Sequence, residues 1–138
     1  MIINAENLVL GRLATFAAKK AMQGDMVEVV NSEKAIITGR KEDILHRYER
    51  KRQMGDPHHG PYFPIEPERI MRRTIRGMIP HKQPKGKEAF TRVKCYKGIP
   101  ASLRDKEMIT LENAQLKDST MKYMQLGRLA KLIGSNDG

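Results

Sequence analysis

The first thirty residues restrict the chain more tightly than any other stretch. Met1 to Asn4 suits a short strand, and Met26-Val27-Glu28-Val29-Val30 is a second run rich in β-branched residues. Between them Gly11 opens a helix whose polar positions, Arg12, Thr15, Lys19 and Gln23, line up on one narrow face. Leu13, Ala14, Phe16, Ala17, Ala18 and Ala21 occupy the rest, so most of that helix is expected to be buried. Gly24-Asp25 ends it. A strand, a helix and a strand within so short a span read as a right-handed crossover with parallel strands.

The remaining apolar segments extend this α/β reading. Asn31-Ser32 makes a turn, and Ala35-Ile36-Ile37 is a third short apolar run. Thr38-Gly39 starts a second helix, with Glu42 and Asp43 at its positive end and Ile44, Leu45 and Tyr48 as its apolar face. Pro67 fits the first position of a third helix, which must end near Gly77 because Pro80 pushes its predecessor out of helical geometry. Pro84 to Phe90 is a short helix, Val93 to Tyr96 and Met108 to Leu111 are strands, and Asp118 or Ser119 caps a last helix. In that helix Leu126, Leu129, Ala130 and Ile133 share a face. The pentapeptide Leu-Gly-Arg-Leu-Ala occurs at 10–14 and again at 126–130, two copies without the fixed period of a repeat protein.

Charge divides the chain into three parts. Residues 1–39 hold four basic and four acidic side chains; residues 40–97 hold sixteen and seven, a net of +9; residues 98–138 hold six and five. Nearly all of the +10 therefore lies in the middle segment, which also contains six of the seven prolines and five of the seven aromatic residues. With 138 residues the expectation is one domain: a βαβ scaffold over 1–39, a basic segment over 40–97, and a strand and helix over 98–138. No apolar run approaches the ~18–20 residues of a membrane span, and the amino terminus lacks the pattern of a signal peptide. A soluble, intracellular protein is expected, and a lone Cys95 supports neither an internal disulfide nor thiolate-bound zinc.

The third helix carries the sharpest chemical signal. Arg69, Arg72, Arg73 and Arg76 are spaced i, i+3, i+4 and i+7, on one stripe opposite Ile70, Met71, Ile75, Met78 and Ile79. Like charges so placed oppose their own helix, and only Glu66 and Glu68 stand near to offset them. A solvated face would serve as well with lysine and glutamate, whereas planar guanidinium forks match phosphate and stack on bases. The stripe therefore points to a polyanion, nucleic acid above all. His81-Lys82-Gln83-Pro84-Lys85-Gly86-Lys87 continues it as a basic turn, and Arg40, Arg47, Arg50 and Lys51 crowd the second helix. The loop from Gly55 to Pro64 carries His58, His59, Tyr62 and Phe63 on a proline-stiffened backbone able to enter a folded RNA and stack on its bases.

Catalysis finds little support. The Gly11 turn lacks the glycine spacing of dinucleotide- or nucleoside-triphosphate-binding loops, and its glycine is better explained by close packing at a helix start. Cys95, apolar-flanked, reads as a buried structural thiol. His58 and His59, with only Asp56 beside them, have no further ligand at zinc spacing. A nucleotide- or nucleic-acid-acting enzyme would need a base or nucleophile at the carboxyl ends of the strands, near Asn4 and Asn31, where neither is evident.

Several stretches together resemble one family. These are Asn4-Ala5 with Leu8 to Ala14, Val29 to Gly39, Gly60-Pro61-Tyr62-Phe63 and, most specifically, Arg72-Arg73-Thr74-Ile75-Arg76-Gly77-Met78-Ile79-Pro80. They resemble the L-thirteen family of large-subunit ribosomal proteins, from the first residue to about Pro100. The turn from Lys82 to Ala89 is closer to the archaeal and eukaryotic branch. The resemblance implies a three-layer α/β/α fold around a four-stranded, mostly parallel sheet. It implies a non-enzymatic, cytoplasmic constituent of the large ribosomal subunit that binds large-subunit ribosomal RNA, supports assembly and adjoins other ribosomal proteins. No cofactor, metal, membrane or small-molecule substrate is expected. Carried over by position, the expected RNA contacts are Arg72, Arg73, Arg76, His81, Lys82, His59 and Tyr62. Charge alone adds Arg40, Arg47, Arg50, Lys51, Arg69, Lys85 and Lys87.

Overall fold

The crossover at the amino terminus forms as its sequence dictates. In the computed structural model, which describes residues 1–53, 65–116 and 122–134, strand β1 (Ile2–Asn4) leads through helix α1 (Leu10–Met22) to β2 (Val27–Val30). The two strands pair in parallel, with Ile3 opposite Val29. A third parallel strand, β4 (Val93–Cys95), joins the other edge of β2, giving the order β1-β2-β4. Beyond β1 the expected strand at 108–111 contributes a single bridge, Ile109 to Ile3, held by backbone bonds of 2.9 and 2.8 Å to Asn4 and Ile2. The next residues turn into a short 3-10 helix (Glu112–Ala114) whose Ala114 carbonyl accepts from Val9 at 2.7 Å. Among the described residues the sheet thus has three paired strands, with the 108–111 run attached by its one bridge.

The third apolar run does form a strand, β3 (Ile36–Thr38), but outside that sheet. Asn31, in the left-handed region at φ 56°, and the 3-10 turn Ser32–Lys34 carry the chain off the end of β2. β3 then pairs antiparallel with β5 (Tyr123–Gln125). Helix α2 (Lys41–Gln53) follows, beginning two residues later than expected because Thr38 is still paired in β3. The other helices are α3 (Pro67–Arg76), α4 (Pro84–Thr91) and α5 (Leu126–Ile133). The last starts at Leu126; Asp118 and Ser119, the expected caps, lie outside the described residues.

Strand alternation separates two cores. Ile3, Val27, Val29 and Val93 face a large aliphatic cluster with Leu13, Ala17, Ile44, Ile70, Ile75 and Leu129 from the helices. Ile2 and Val30 point the other way, onto Leu103 with Tyr96, Ile99 and Met108. One face of the sheet is therefore covered by a segment with one 3-10 turn (Ala101–Leu103), so that among the described residues the expected helical third layer is absent. The two Leu-Gly-Arg-Leu-Ala segments are the first turns of α1 and α5, and β3 lies between their leads: Val9 bridges Ile36, and Gln125 pairs with it. Their glycines differ. A Cβ on Gly127 would lie 3.0 Å from the Glu33 Cβ, whereas one on exposed Gly11 would touch nothing, so close packing does not explain Gly11.

Candidate nucleic-acid interface

Helix α3 begins with Pro67 at its first turn and Glu68 beside it, and ends with Arg73 and Arg76 near its negative end. Pro67, Ile70, Met71 and Ile75 are buried against the core. Ile79 is buried as expected, but Met78 is 44% exposed. The helix stops at Arg76, so helical spacing no longer governs Met78, whose sulfur instead accepts from the Thr15 hydroxyl at 3.4 Å.

The four arginines fall into two kinds. Arg72 stands at the edge of the stripe and turns inward. Its Nε donates to the Val93 carbonyl at 3.1 Å, an Nη donates to the Phe90 carbonyl at 3.4 Å, and its guanidinium stacks 3.9 Å from the centre of the Phe90 ring. This side chain ties α3 to α4 and β4. Arg69, Arg73 and Arg76 form the outer line. Arg69 meets Glu66 only at 3.9 Å and is well exposed. Neither Arg73 nor Arg76 has an ion pair or hydrogen bond among the described residues, and the Arg76 Nε is shielded from solvent without a partner. Burial and the Arg76 charge beside it both hold the Arg73 guanidinium below its ordinary basicity. Two neighbouring guanidinium groups that meet no carboxylate among the described residues suit an external anion.

The basic turn is fixed to α4 by the absence of a side chain. A Cβ on Gly86 would lie 1.8 Å from the Pro80 carbonyl oxygen and 2.9 Å from the His81 nitrogen, so only glycine admits this approach. His81 is half-buried, with its Nδ1 3.3 Å from the Ile79 carbonyl; Lys82, Lys85 and Lys87 are exposed. Arg92, which the sequence did not single out, is structural: it donates to the Ala21 carbonyl at 2.9 Å and pairs with Glu88 at 3.2 Å. On α2, Ile44 and Tyr48 are buried while Arg47 and Arg50 are exposed, as is Arg40 just before the helix. Lys51 lies in the same helix, its side chain outside the description, and His59, Tyr62, His58 and Asp56 lie outside the described residues.

The carboxyl end of the sheet does hold polar groups, and they bind one another. Asn31 donates to the Asn4 side-chain oxygen at 3.0 Å, which also accepts from the Glu6 backbone at 3.1 Å. A Glu33 carboxylate oxygen accepts from the Gly98 backbone at 3.0 Å. Burial pushes the Cys95 thiol up to about 12, so it stays protonated at neutral pH. A groove of about 520 Å³ between α1 and residues 110–114 is lined by Arg12, Phe16 and Leu111 and holds no paired acid and base. Among the described residues no group of three His, Cys, Asp or Glu side chains could hold a metal ion, and no helix is long and apolar enough to cross a membrane.

Comparison with known proteins gives a consistent result. The family model for ribosomal protein L13 matches residues 1–102. Large ribosomal subunit protein uL13 of Methanosarcina barkeri is 43% identical over 136 residues, covering 97% of both chains. Its counterpart in Methanococcoides burtonii is 42% identical over 135 residues, again covering 97% of both. That of Archaeoglobus fulgidus is 40% identical over 135 residues, covering 96% of this chain and 86% of its own.

Proposed function

This chain belongs to the ribosomal protein L13 family, and we propose that, as a non-enzymatic structural constituent of the large ribosomal subunit, it docks on large-subunit ribosomal RNA through the outer arginines of α3. The archaeal relatives are consistent with the archaeal and eukaryotic branch that the basic turn suggests. Arg69, Arg73 and Arg76, with Lys82, Lys85 and Lys87 beyond them and Arg40, Arg47 and Arg50 at α2, neutralise phosphates and fix orientation. His59 and Tyr62 supply rings for unpaired bases, and His81 and Lys51 complete the basic rim. Residues 1–39 act as scaffold, 40–97 as the RNA-binding segment and 98–138 as the closing strand and helix. Neighbouring large-subunit proteins cover other faces, and the RNA contacts support subunit assembly.

The observation that carries this reading is the pair Arg73 and Arg76, neighbouring cations without a partner among the described residues. If ~6–8 phosphates are contacted, affinity for a purified ribosomal RNA fragment falls about 10³-fold between 50 and 200 mM salt. The native protein should co-sediment with large subunits and stay through a moderate salt wash. Release at low salt, or equal binding to duplex DNA and structured RNA, contradicts the reading.

A further inference from the structure

We propose that β5 and α5 carry a second RNA-binding surface, in which Tyr123, beside Lys122 and Arg40, is a stacking platform and Arg128 and Lys131 of α5 meet phosphates. It rests on the reading that the ligand is ribosomal RNA, and it lies in the part of the chain whose average charge is close to neutral. That average conceals a local excess. All five acidic residues of 98–138 fall at 105–118 or at Asp137, so residues 122–134 contain three cations and no acid.

The fold brings this stretch to the basic helices. Thr38 of β3 pairs with Tyr123, and the Gly39 nitrogen donates to the Lys122 carbonyl at 3.1 Å. Lys122 and Tyr123 therefore sit beside the start of α2, where Arg40 is exposed. Met124 points into the core at 4% exposure, while Tyr123 is 51% exposed and has no hydrogen bond or ring contact among the described residues. An exposed ring between cations is the element that single-stranded or looped RNA uses for stacking. α5 itself packs against both α2 and α3, joining two basic helices that hardly meet each other.

The repeated pentapeptide shows why Arg128 needs an outside partner. Arg12 and Arg128 hold the same place in the first turns of α1 and α5, where the helix dipole disfavours a cation. Arg12 offsets this by donating to the Asn113 carbonyl at 3.1 Å. Arg128 has no hydrogen bond or ion pair among the described residues and is exposed. Lys131, one turn on, shares its outward face, opposite buried Leu126, Leu129, Ala130 and Ile133. A merely solvated helix would suit Lys131 at its negative end but not Arg128 at its positive one.

The test uses the full chain and a large-subunit ribosomal RNA fragment, with Tyr123→Ala, Tyr123→Phe and the double variant Arg128→Gln, Lys131→Gln. Tyr123→Ala should weaken binding roughly 5- to 100-fold, with Tyr123→Phe close to the parent. The double variant should lower the steepness of the log–log salt dependence by about 1.4–1.8 for two lost phosphate contacts, with unchanged circular dichroism. Because its changes are confined to exposed positions of one helix, it remains informative if Tyr123→Ala fails to fold. Parent-like RNA binding by Tyr123→Ala and the double variant, while Arg73→Gln, Arg76→Gln binds weakly, overturns this surface and leaves the proposed function standing. Parent-like RNA binding with lost co-sedimentation on subunits also overturns it, assigning the face to a protein neighbour. If no arginine variant changes binding, the proposed function itself fails.

Discussion

At the carboxyl ends of the strands, Asn31 donates to Asn4, Glu33 accepts from Gly98, and the polar groups hold the loops to one another. On the outer line of α3, Arg73 and Arg76 lie one turn apart with no hydrogen bond or ion pair among the described residues. Both regions are polar; Asn4, Asn31 and Glu33 are paired within the chain in the first, whereas the two guanidinium groups of the second have no partner among the described residues. In an open α/β sheet with parallel strands, the usual place for a ligand is the first of these. Here its chief polar side chains serve the loops, and the unmatched chemistry has moved to a helix surface. Arg72 belongs with the first group although it stands in the second, since its guanidinium is held by Val93, Phe90 and the Phe90 ring.

The comparison breaks if the two groups of residues respond alike to substitution. The largest effect expected is on RNA affinity. Each phosphate contact contributes about tenfold near 0.1 M salt, so Arg73→Gln, Arg76→Gln should lose about 100-fold in a filter-binding or fluorescence titration. Its thermal stability should stay within about 0.5 kcal/mol of the parent, as for surface changes elsewhere. Next, Arg72→Gln should lower stability by about 1–3 kcal/mol in denaturant titration, through lost hydrogen bonds and ring contact. An unchanged midpoint would place Arg72 with the outer arginines.

Smaller effects sharpen the interior side of the contrast. Asn31→Ala should cost about 1–2 kcal/mol, because it loses the bond to Asn4 and the short polar side chain that lets asparagine tolerate the left-handed region. Asn31→Gly should cost less, which separates the backbone contribution from the hydrogen bond. The smallest effect near neutral pH concerns Cys95. Its folded value of about 12 exceeds the ordinary 9.0, so its stabilising contribution is complete below pH 9 and is lost progressively as pH rises towards 12. Cys95→Ala should flatten that part of the stability profile, and the parent thiol should alkylate slowly at pH 8 until the chain is unfolded.

Much of this was readable in the sequence where local pattern decides the outcome. The alanine-rich face of α1, the β-branched run of β2 and Pro67 at the start of α3 each specify their element alone. Partners of short apolar runs are not specified in this way. Ile36-Ile37 has the same composition whether it joins the parallel sheet or pairs with β5, and the left-handed turn at Asn31 decides between them. The 108–111 run keeps one bridge because the chain must turn at once to reach Val9. Helical spacing places Arg69, Arg72, Arg73 and Arg76 on one stripe, but only the position of Phe90 shows which one turns inward. Averaging charge over 98–138 hid the cations of α5, which a count over 122–134 would have exposed.

The central claim is that one helix divides its arginines between the fold and the RNA, and a paired measurement on Arg72→Gln and on Arg73→Gln, Arg76→Gln tests it directly. Both variants are unfolded in denaturant and titrated with the same ribosomal RNA fragment at two salt concentrations. The account predicts that the first loses stability, and that the second keeps its stability while its salt dependence becomes shallower by about 1.4–1.8. Equal stability losses in both, or an unchanged salt dependence in the second, would contradict it.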